Sequence, residues 1–153
     1  MSYCLKISIG ILLLIGITLP ANGQEKHWVK LINEQITLKE NNQQLELVFA
    51  IQNGMHIQAD EVNDPNFIPT RITIEWPASF QIDSAQFSAP KTFKMIGEDQ
   101  PLQVFSNQFT VKFLVKKAQK GTFKIPGELY YQACNAYKCF FPRTLNFNID
   151  LQN

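Results

Sequence analysis

Two cysteines near the C-terminal end, Cys134 and Cys139, are the residues whose type and spacing are best suited to chemistry. The residues between them, Asn135 to Lys138, have the character of a loop, and strand-like apolar segments precede and follow the pair. The sequence therefore predicts a hairpin with one cysteine at each end of its loop. Directly opposed residues of a non-hydrogen-bonded antiparallel pair have Cα atoms about 4.5 Å apart, at the short end of what a disulfide accepts, so the bond is geometrically easy.

Such a bond has two possible uses, and the spacing leaves both open. As a staple it closes a loop of about six residues, for which the chain-entropy model gives only about 2 kcal/mol, against about 4.7 for a hundred-residue loop. As a redox group, a disulfide at a hairpin tip is accessible to an incoming thiolate, which thiol–disulfide exchange requires. Stapling is the commoner use of cysteine pairs in exported proteins.

Residues 1–23 have the features of a secretory signal peptide, with Lys6, an apolar run from Ile7 to Leu19 and small residues before a cleavage site. The run is shorter than the about 20 residues of a membrane span, so we expect no membrane anchor after cleavage. Cys4 would leave with the peptide, and the mature domain, residues 24–153, would keep two cysteines. We expect a periplasmic or secreted protein in an oxidising compartment.

Charge and residue types argue against several classes of partner and ligand. The chain has 14 Lys and Arg against 13 Asp and Glu, and loss of Lys6 makes these counts equal, so we predict no nucleic-acid or anionic-membrane partner. A zinc site needs four ligands, and the only histidines that could join the cysteines are His27 and His56. Neither lies at the spacing of a metal ligand, so we predict no metal. No nucleophile elbow or phosphate-binding glycine loop stands out, and we predict no cofactor.

Apolar and polar residues alternate along much of the mature chain, at the period of two that places apolar side chains on one face of a strand. The clearest strands are Phe109 to Val115, Leu145 to Leu151, Leu45 to Ile51 and Ile72 to Trp76; shorter candidates are Trp28 to Ile32, His56 to Ala59, Phe80 to Ile82, Thr92 to Ile96 and Leu129 to Ala133. About seven to nine strands without a long helix predict an all-β fold, an immunoglobulin-like antiparallel β-sandwich, with a closed barrel as the alternative. We expect Phe87 to Pro101 to hold a strand and a loop over one end of the sandwich.

The surroundings of the cysteines resemble a known family. Tyr131-Gln132-Ala133-Cys134 and Cys139-Phe140-Phe141-Pro142 are similar to the active-site hairpin of the N-terminal periplasmic domain of the thiol:disulfide interchange protein DsbD. That family typically has Tyr-Gln-x-Cys, a short loop, then Cys, an aromatic residue and proline. A weaker similarity in the order and length of strands extends over most of the mature chain.

The resemblance implies an immunoglobulin-like domain that carries electrons as a dithiol. It implies that Cys134 and Cys139 are the catalytic residues, that Cys139 forms the mixed disulfide with partners, and that Cys134 resolves it. Electrons would come from a thioredoxin-like domain and pass to other periplasmic thiol oxidoreductases. Because the sequence ends at Asn153 without a thioredoxin-like domain, we expect the donor to act in trans.

Around the pair, the sequence departs from the family pattern. The family has one more residue between its cysteines than the four here, and its cap loop, which shields the pair, is rich in aromatic and acidic residues. The nearest segment here, Met95 to Pro101, has no aromatic ring. Its Glu98 and Asp99 are interpreted as a polar turn, with a cap or acid–base role beside the cysteines as the alternative.

The tyrosines that flank the family's pair from the early strands are replaced near Met55, His56 and Gln58. His56 is interpreted as a surface or partly buried residue, and the alternative places it near the hairpin, where it would stabilise a thiolate. Tyr137 and Lys138, in the hairpin loop, are candidates for partner contacts if exchange occurs. The alternative function, from another class, is a non-catalytic binding module whose disulfide only braces a loop.

Overall fold

The computed structural model describes residues 27–38 and 44–153, which form thirteen β-strands and no helix. The strands are β1 (Val29–Leu31), β2 (Gln35–Thr37), β3 (Gln44–Ile51), β4 (His56–Gln58), β5 (Arg71–Ile74), β6 (Gln81–Ile82), β7 (Gln86–Phe87), β8 (Lys91–Phe93), β9 (Leu102–Ser106), β10 (Gln108–Lys117), β11 (Thr122–Tyr131), β12 (Ala133–Cys134) and β13 (Arg143–Gln152). Residues 1–23, the predicted signal peptide, lie outside the described residues. Within the described ranges no helix is long and apolar enough to cross a membrane.

The strands form three sheets. The first has the order β1-β3-β10-β6, with β7 also pairing with β10, and the second has the order β2-β13-β11-β5. The third is smaller in span and has the order β12-β4-β9-β8. The pairing is antiparallel except between β2 and β13, which run parallel.

The first two sheets bury their facing sides in one shared core. Alternate residues of their four long strands are almost fully buried there: Leu45, Leu47, Phe49 and Ile51 of β3, Phe109, Val111, Phe113 and Val115 of β10, Ile125, Leu129 and Tyr131 of β11, and Phe147, Ile149 and Leu151 of β13. Phe49 stacks on Phe109 within its sheet at 5.1 Å and meets Phe147 of the other sheet edge-on at 5.5 Å. The predicted immunoglobulin-like sandwich is confirmed.

The third sheet has fully buried residues on both of its faces, in strands β4, β9 and β12. Ile57, Phe105 and Ala133 belong to the shared core of the sandwich. Val104 and Cys134, which are also fully buried, belong to a second, smaller apolar cluster. That second cluster surrounds the cysteines, so this sheet is the element that joins the site to the body of the domain.

Every strand predicted from alternation is present, but the predicted number of seven to nine was too low. Strands of two or three residues, such as β2 and β7, are too short to show a period. In β9 buried residues occur on both faces, which removes the alternation. In β11, Pro126 and Gly127 interrupt the apolar pattern, so that only its last residues were predicted.

Gly127 provides a test of how tightly the second sheet packs. A Cβ atom there would lie 2.6 Å from the Phe147 ring and 2.7 Å from Cδ1 of Ile74, which are its neighbours on the two flanking strands. We expect Gly127→Ala to lower the free energy of unfolding by about 1–3 kcal/mol in urea denaturation, because the buried Phe147 ring must move. Glu128→Ala, at an exposed position of the same strand, is the control, and equal stability of the two variants would contradict this packing.

Candidate functional site

Cys134 and Cys139 form a disulfide, with an S–S distance of 2.01 Å and Cα atoms 3.9 Å apart. The two residues oppose each other in an isolated antiparallel bridge. The predicted hairpin and its disulfide are therefore both confirmed.

The hairpin loop closes through the side chain and backbone of Asn135. The backbone N–H of Asn135 donates to the carbonyl of Lys138 at 2.9 Å. Its side-chain oxygen accepts from the backbone N–H groups of Tyr137 and Lys138, both at 2.9 Å. An asparagine that bonds its own backbone in this way favours a tight turn, which explains how four residues suffice between the cysteines.

Gln132 fixes the base of the hairpin, at the point where the chain leaves β11 and enters β12. Its side-chain oxygen accepts from the backbone N–H of Ile68 at 2.9 Å, and its amide nitrogen donates to the carbonyl of Phe140 at 3.3 Å. The backbone N–H of Phe140 in turn donates to the carbonyl of Ala133 at 2.8 Å. The glutamine of the Tyr-Gln-x-Cys pattern therefore joins both arms of the hairpin to the segment before β5.

Aromatic residues on either side of the cysteines anchor the hairpin to the sandwich. The Tyr131 hydroxyl is fully buried and accepts from the backbone N–H of Trp28 at 3.2 Å. The ring of Trp28 lies 4.7 Å from that of Phe140 and 4.6 Å from the guanidinium of Arg143. Phe141, by contrast, is 91% exposed. These contacts hold the hairpin base without involving the disulfide.

The two sulfur-bearing residues differ in burial. Cys134 has no exposed surface, because it lies on β12 and pairs with β4. Cys139, on the returning arm, is partly exposed. Of the two residues, Cys139 is therefore the one more open to solvent.

Met95 covers Cys139 from the loop that follows β8. Its thioether sulfur lies 3.8 Å from the Cys139 sulfur, and the side chain is only 5% exposed. The backbone N–H of Ile96 donates to the carbonyl of Ala136 at 2.8 Å, which fixes this loop to the hairpin. The expected loop over the end of the sandwich is present, and a thioether takes the covering position that the family gives to aromatic rings.

Glu98 and Asp99 lie in an exposed turn that continues from Met95. Gly97 has a φ of 89°, a left-handed conformation that favours glycine, and the backbone N–H of Glu98 donates to the carbonyl of Met95 at 3.3 Å. This geometry agrees with the interpretation of the two carboxylates as a polar turn.

His56 lies opposite Cys134 in the pairing of β4 with β12. One ring nitrogen, Nδ1, is 2.6 Å from the Ser106 hydroxyl oxygen, and the ring stacks on Phe93 at 3.9 Å. Burial lowers the pKa of His56, so the imidazole is neutral at neutral pH. His56 is thus near the hairpin, as one interpretation of the sequence held, but it does not bring a positive charge to it.

Gln58 contacts both sulfurs, which agrees with the resemblance, since that placed Gln58 among the residues replacing the tyrosines that flank the family's pair. Its amide nitrogen lies 3.4 Å from the sulfur of Cys134 and 3.8 Å from that of Cys139. The side chain is 1% exposed. A second signal was its position two residues after His56, on the same face of a predicted strand. Across the part of the chain that the structure describes, no group of three or more His, Cys, Asp or Glu residues is placed to hold a metal.

The fold and the site together define a class of protein. Its members are immunoglobulin-like domains that carry a disulfide hairpin with one cysteine buried and the other partly exposed. The chain belongs to the family described as thiol:disulfide interchange protein DsbD, N-terminal, whose family model matches residues 29–151. The resemblance inferred from the hairpin is therefore confirmed.

Two solved structures are similar to this chain. The N-terminal domain of Neisseria meningitidis DsbD in the reduced form has 17% identity and a TM-score of 0.46, over 71% of this chain and 77% of that one. The N-terminal periplasmic domain of ScsB from Proteus mirabilis has 11% identity and a TM-score of 0.52, over 80% of this chain and 44% of that one. This chain thus spans less than half of the ScsB domain, and the second likeness supports the fold. No curated protein matches in sequence.

Breaking the disulfide should leave the domain folded. We expect reduction to lower the free energy of unfolding by about 2 kcal/mol, because the closed loop is short and the contacts of Gln132 and Tyr131 do not depend on the bond. Urea denaturation of the oxidised and reduced protein measures the difference. The Cys134→Ala/Cys139→Ala double variant is the control, and a reduced protein that is unfolded without urea would contradict the expectation.

Shortening the Met95 side chain should expose the Cys139 sulfur. We expect Met95→Ala to increase several-fold the rate at which dithiothreitol reduces the disulfide, because the thioether no longer blocks access to the Cys139 sulfur. Gln100→Ala, an exposed change in the same loop, is the control. Equal rates in Met95→Ala and the unchanged protein would show that Met95 does not limit access.

Proposed function

We propose that this protein is a periplasmic thiol–disulfide exchange domain, in which Cys134 and Cys139 carry electrons from a thioredoxin-like donor to oxidised client proteins. The observation that carries the proposal is a disulfide in the hairpin of a DsbD N-terminal family member, with one sulfur buried and one partly exposed. Export through cleavage of residues 1–23, giving a mature domain of residues 24–153, belongs to the same proposal.

The loading half of the cycle begins on the oxidised domain. A thiolate of the donor attacks the Cys139 sulfur, the Cys134–Cys139 bond breaks, and Cys134 leaves as a thiolate. The second thiolate of the donor then attacks the mixed disulfide, which releases Cys139 as a thiolate and leaves the donor oxidised. Two electrons have moved to the domain, and its two cysteines are reduced.

In the delivery half, the Cys139 thiolate attacks a client disulfide and forms a mixed disulfide while one client cysteine leaves as a thiolate. Cys134 then attacks the Cys139 sulfur, restores the internal disulfide and releases the second client thiolate. The separation of roles follows from burial, because the partly exposed Cys139 is open to partners and the buried Cys134 meets only its neighbour.

Large apolar side chains are exposed on the segments that carry or contact the hairpin. Tyr137 in its loop is 70% exposed, Phe141 after its second arm is 91% exposed, and Ile96 on the covering loop is 64% exposed. Aromatic residues are enriched at the centres of protein interfaces. We assign these three side chains to the contact surface for thiol oxidoreductases that act in trans.

Trapping of the mixed disulfide tests the function. Cys134→Ser removes the resolving thiol, so a reduced Cys134→Ser protein mixed with a periplasmic extract should form covalent adducts through Cys139 that dithiothreitol dissolves. Non-reducing electrophoresis and mass spectrometry of the adducts identify the partners. In the matched control, Cys139→Ser, the remaining sulfur is buried, and we expect few or no adducts.

Failure of Cys134→Ser to trap any thiol oxidoreductase would count against exchange and favour a binding module with a structural disulfide. The reduction potential of the unchanged protein separates these two functions independently. A structural bond has a potential below about −300 mV, whereas we expect a value in the range of exchange proteins, between about −120 and −270 mV.

A further inference from the structure

The side chain of Gln58 is directed at the sulfurs by its own backbone contacts. The backbone N–H of Gln58 donates to the carbonyl of Gln132 at 3.0 Å, and its carbonyl accepts from the hydroxyl of Thr70, which is fully buried. The residue is therefore bonded on both sides, to the hairpin base and to the segment before β5. Its amide nitrogen reaches the Cys134 sulfur at 3.4 Å from this fixed position.

The proposed exchange reaction creates a buried anion at Cys134. When a donor thiolate attacks Cys139, the negative charge passes to the Cys134 sulfur, which has no exposed surface. Burial disfavours a thiolate and raises its pKa, and a sulfur of higher pKa leaves more slowly. A hydrogen-bond donor to this sulfur would stabilise the charge, and the Nδ1 atom of His56 is directed instead at the Ser106 hydroxyl, at 2.6 Å.

We infer that Gln58 is a catalytic residue of this site, whose amide N–H donates to the Cys134 sulfur and stabilises the thiolate that leaves during attack on Cys139. This inference rests on the proposed function. The amide nitrogen already lies 3.4 Å from the Cys134 sulfur in the disulfide, so the donor is in place before the charge develops. The same bond keeps Cys134 ionised for its later attack on the mixed disulfide.

Replacement of the amide tests this role in two ways. Gln58→Met keeps the length of the side chain and removes the donor, so we expect the pKa of the Cys134 thiol to rise by about one to two units. We expect dithiothreitol to reduce the oxidised variant about three- to tenfold more slowly at pH 7, since the leaving group is more basic. Gln58→Glu also lacks the amide and adds a negative charge, so we expect it to raise the pKa of the Cys134 thiol further and to slow reduction by dithiothreitol further.

The pKa is measured from thiolate absorbance at 240 nm as the pH is varied. Cys139→Ser isolates the Cys134 thiol, and Cys4→Ser in every variant removes the remaining cysteine of the chain. The titratable side chains on the elements packed around the pair include His56 on β4, Tyr137 and Lys138 in the hairpin loop, Lys91 on β8, Lys94, Glu98 and Asp99 on the covering loop, and Asp64 before β5. All of them are the same in every variant, so the difference between variants reports Gln58 alone.

Gln103→Met, at a glutamine of the neighbouring strand β9, is the matched control and should leave the pKa and the reduction rate unchanged. Circular dichroism and thermal melting of the oxidised variants identify any loss of the fold, and Gln58→Leu, which removes the amide without adding a charge, supplies the result if Gln58→Met does not fold. Equal pKa values in the unchanged protein, in Gln58→Met and in Gln58→Glu would overturn the inference.

Neither measurement requires a protein partner. If Gln58→Met shifts the pKa while Cys134→Ser traps no thiol oxidoreductase, the amide stabilises a thiolate in a domain that does not exchange with such partners, and the proposed function alone fails. If trapping succeeds and the pKa is unchanged, exchange stands and the role of Gln58 fails.

Discussion

Burial of both faces of the small sheet is the constraint on which the rest of the site depends. Ile57 and Phe105 tie one face to the core of the sandwich, and Val104 and Cys134 form the other face around the sulfurs. A strand buried on both sides cannot shift without exposing apolar surface to water. The elements that hold the disulfide are therefore fixed by the hydrophobic core, and the bond itself adds only about 2 kcal/mol to their stability.

Non-covalent contacts hold the hairpin in place, so the domain does not depend on the small stabilisation that the disulfide provides. The hairpin base is held by the Gln132 side chain, by the buried Tyr131 hydroxyl and by the Trp28 and Phe140 rings. The contacts with Ile68 and Trp28 join the hairpin to segments far from it in sequence. The thioether of Met95 completes the enclosure, and because methionine is flexible and polarisable, it can cover a sulfur where the family has aromatic rings.

Local features of the site could be predicted from the sequence, and features that depend on distant residues could not. The hairpin, its disulfide and the long strands follow from short-range spacing and alternation, and the family follows from the residues beside Cys134 and Cys139. The contact of Gln58 with Cys134 joins residues 76 positions apart, through the pairing of β4 with β12. No pattern in either segment specifies that pairing, because β12 has two residues and Gln58 is a polar side chain buried by its surroundings.

The cysteines are only five positions apart, whereas the residues around them are distant in sequence. Closing a short loop takes well under a microsecond, but contacts between distant segments form only as the whole domain assembles. The sulfurs can thus meet in a chain that has no tertiary structure, and the bond they make there has neither Met95 above it nor Gln58 beside it. A bond formed at that point would gain these two neighbours only when the fold closes around it.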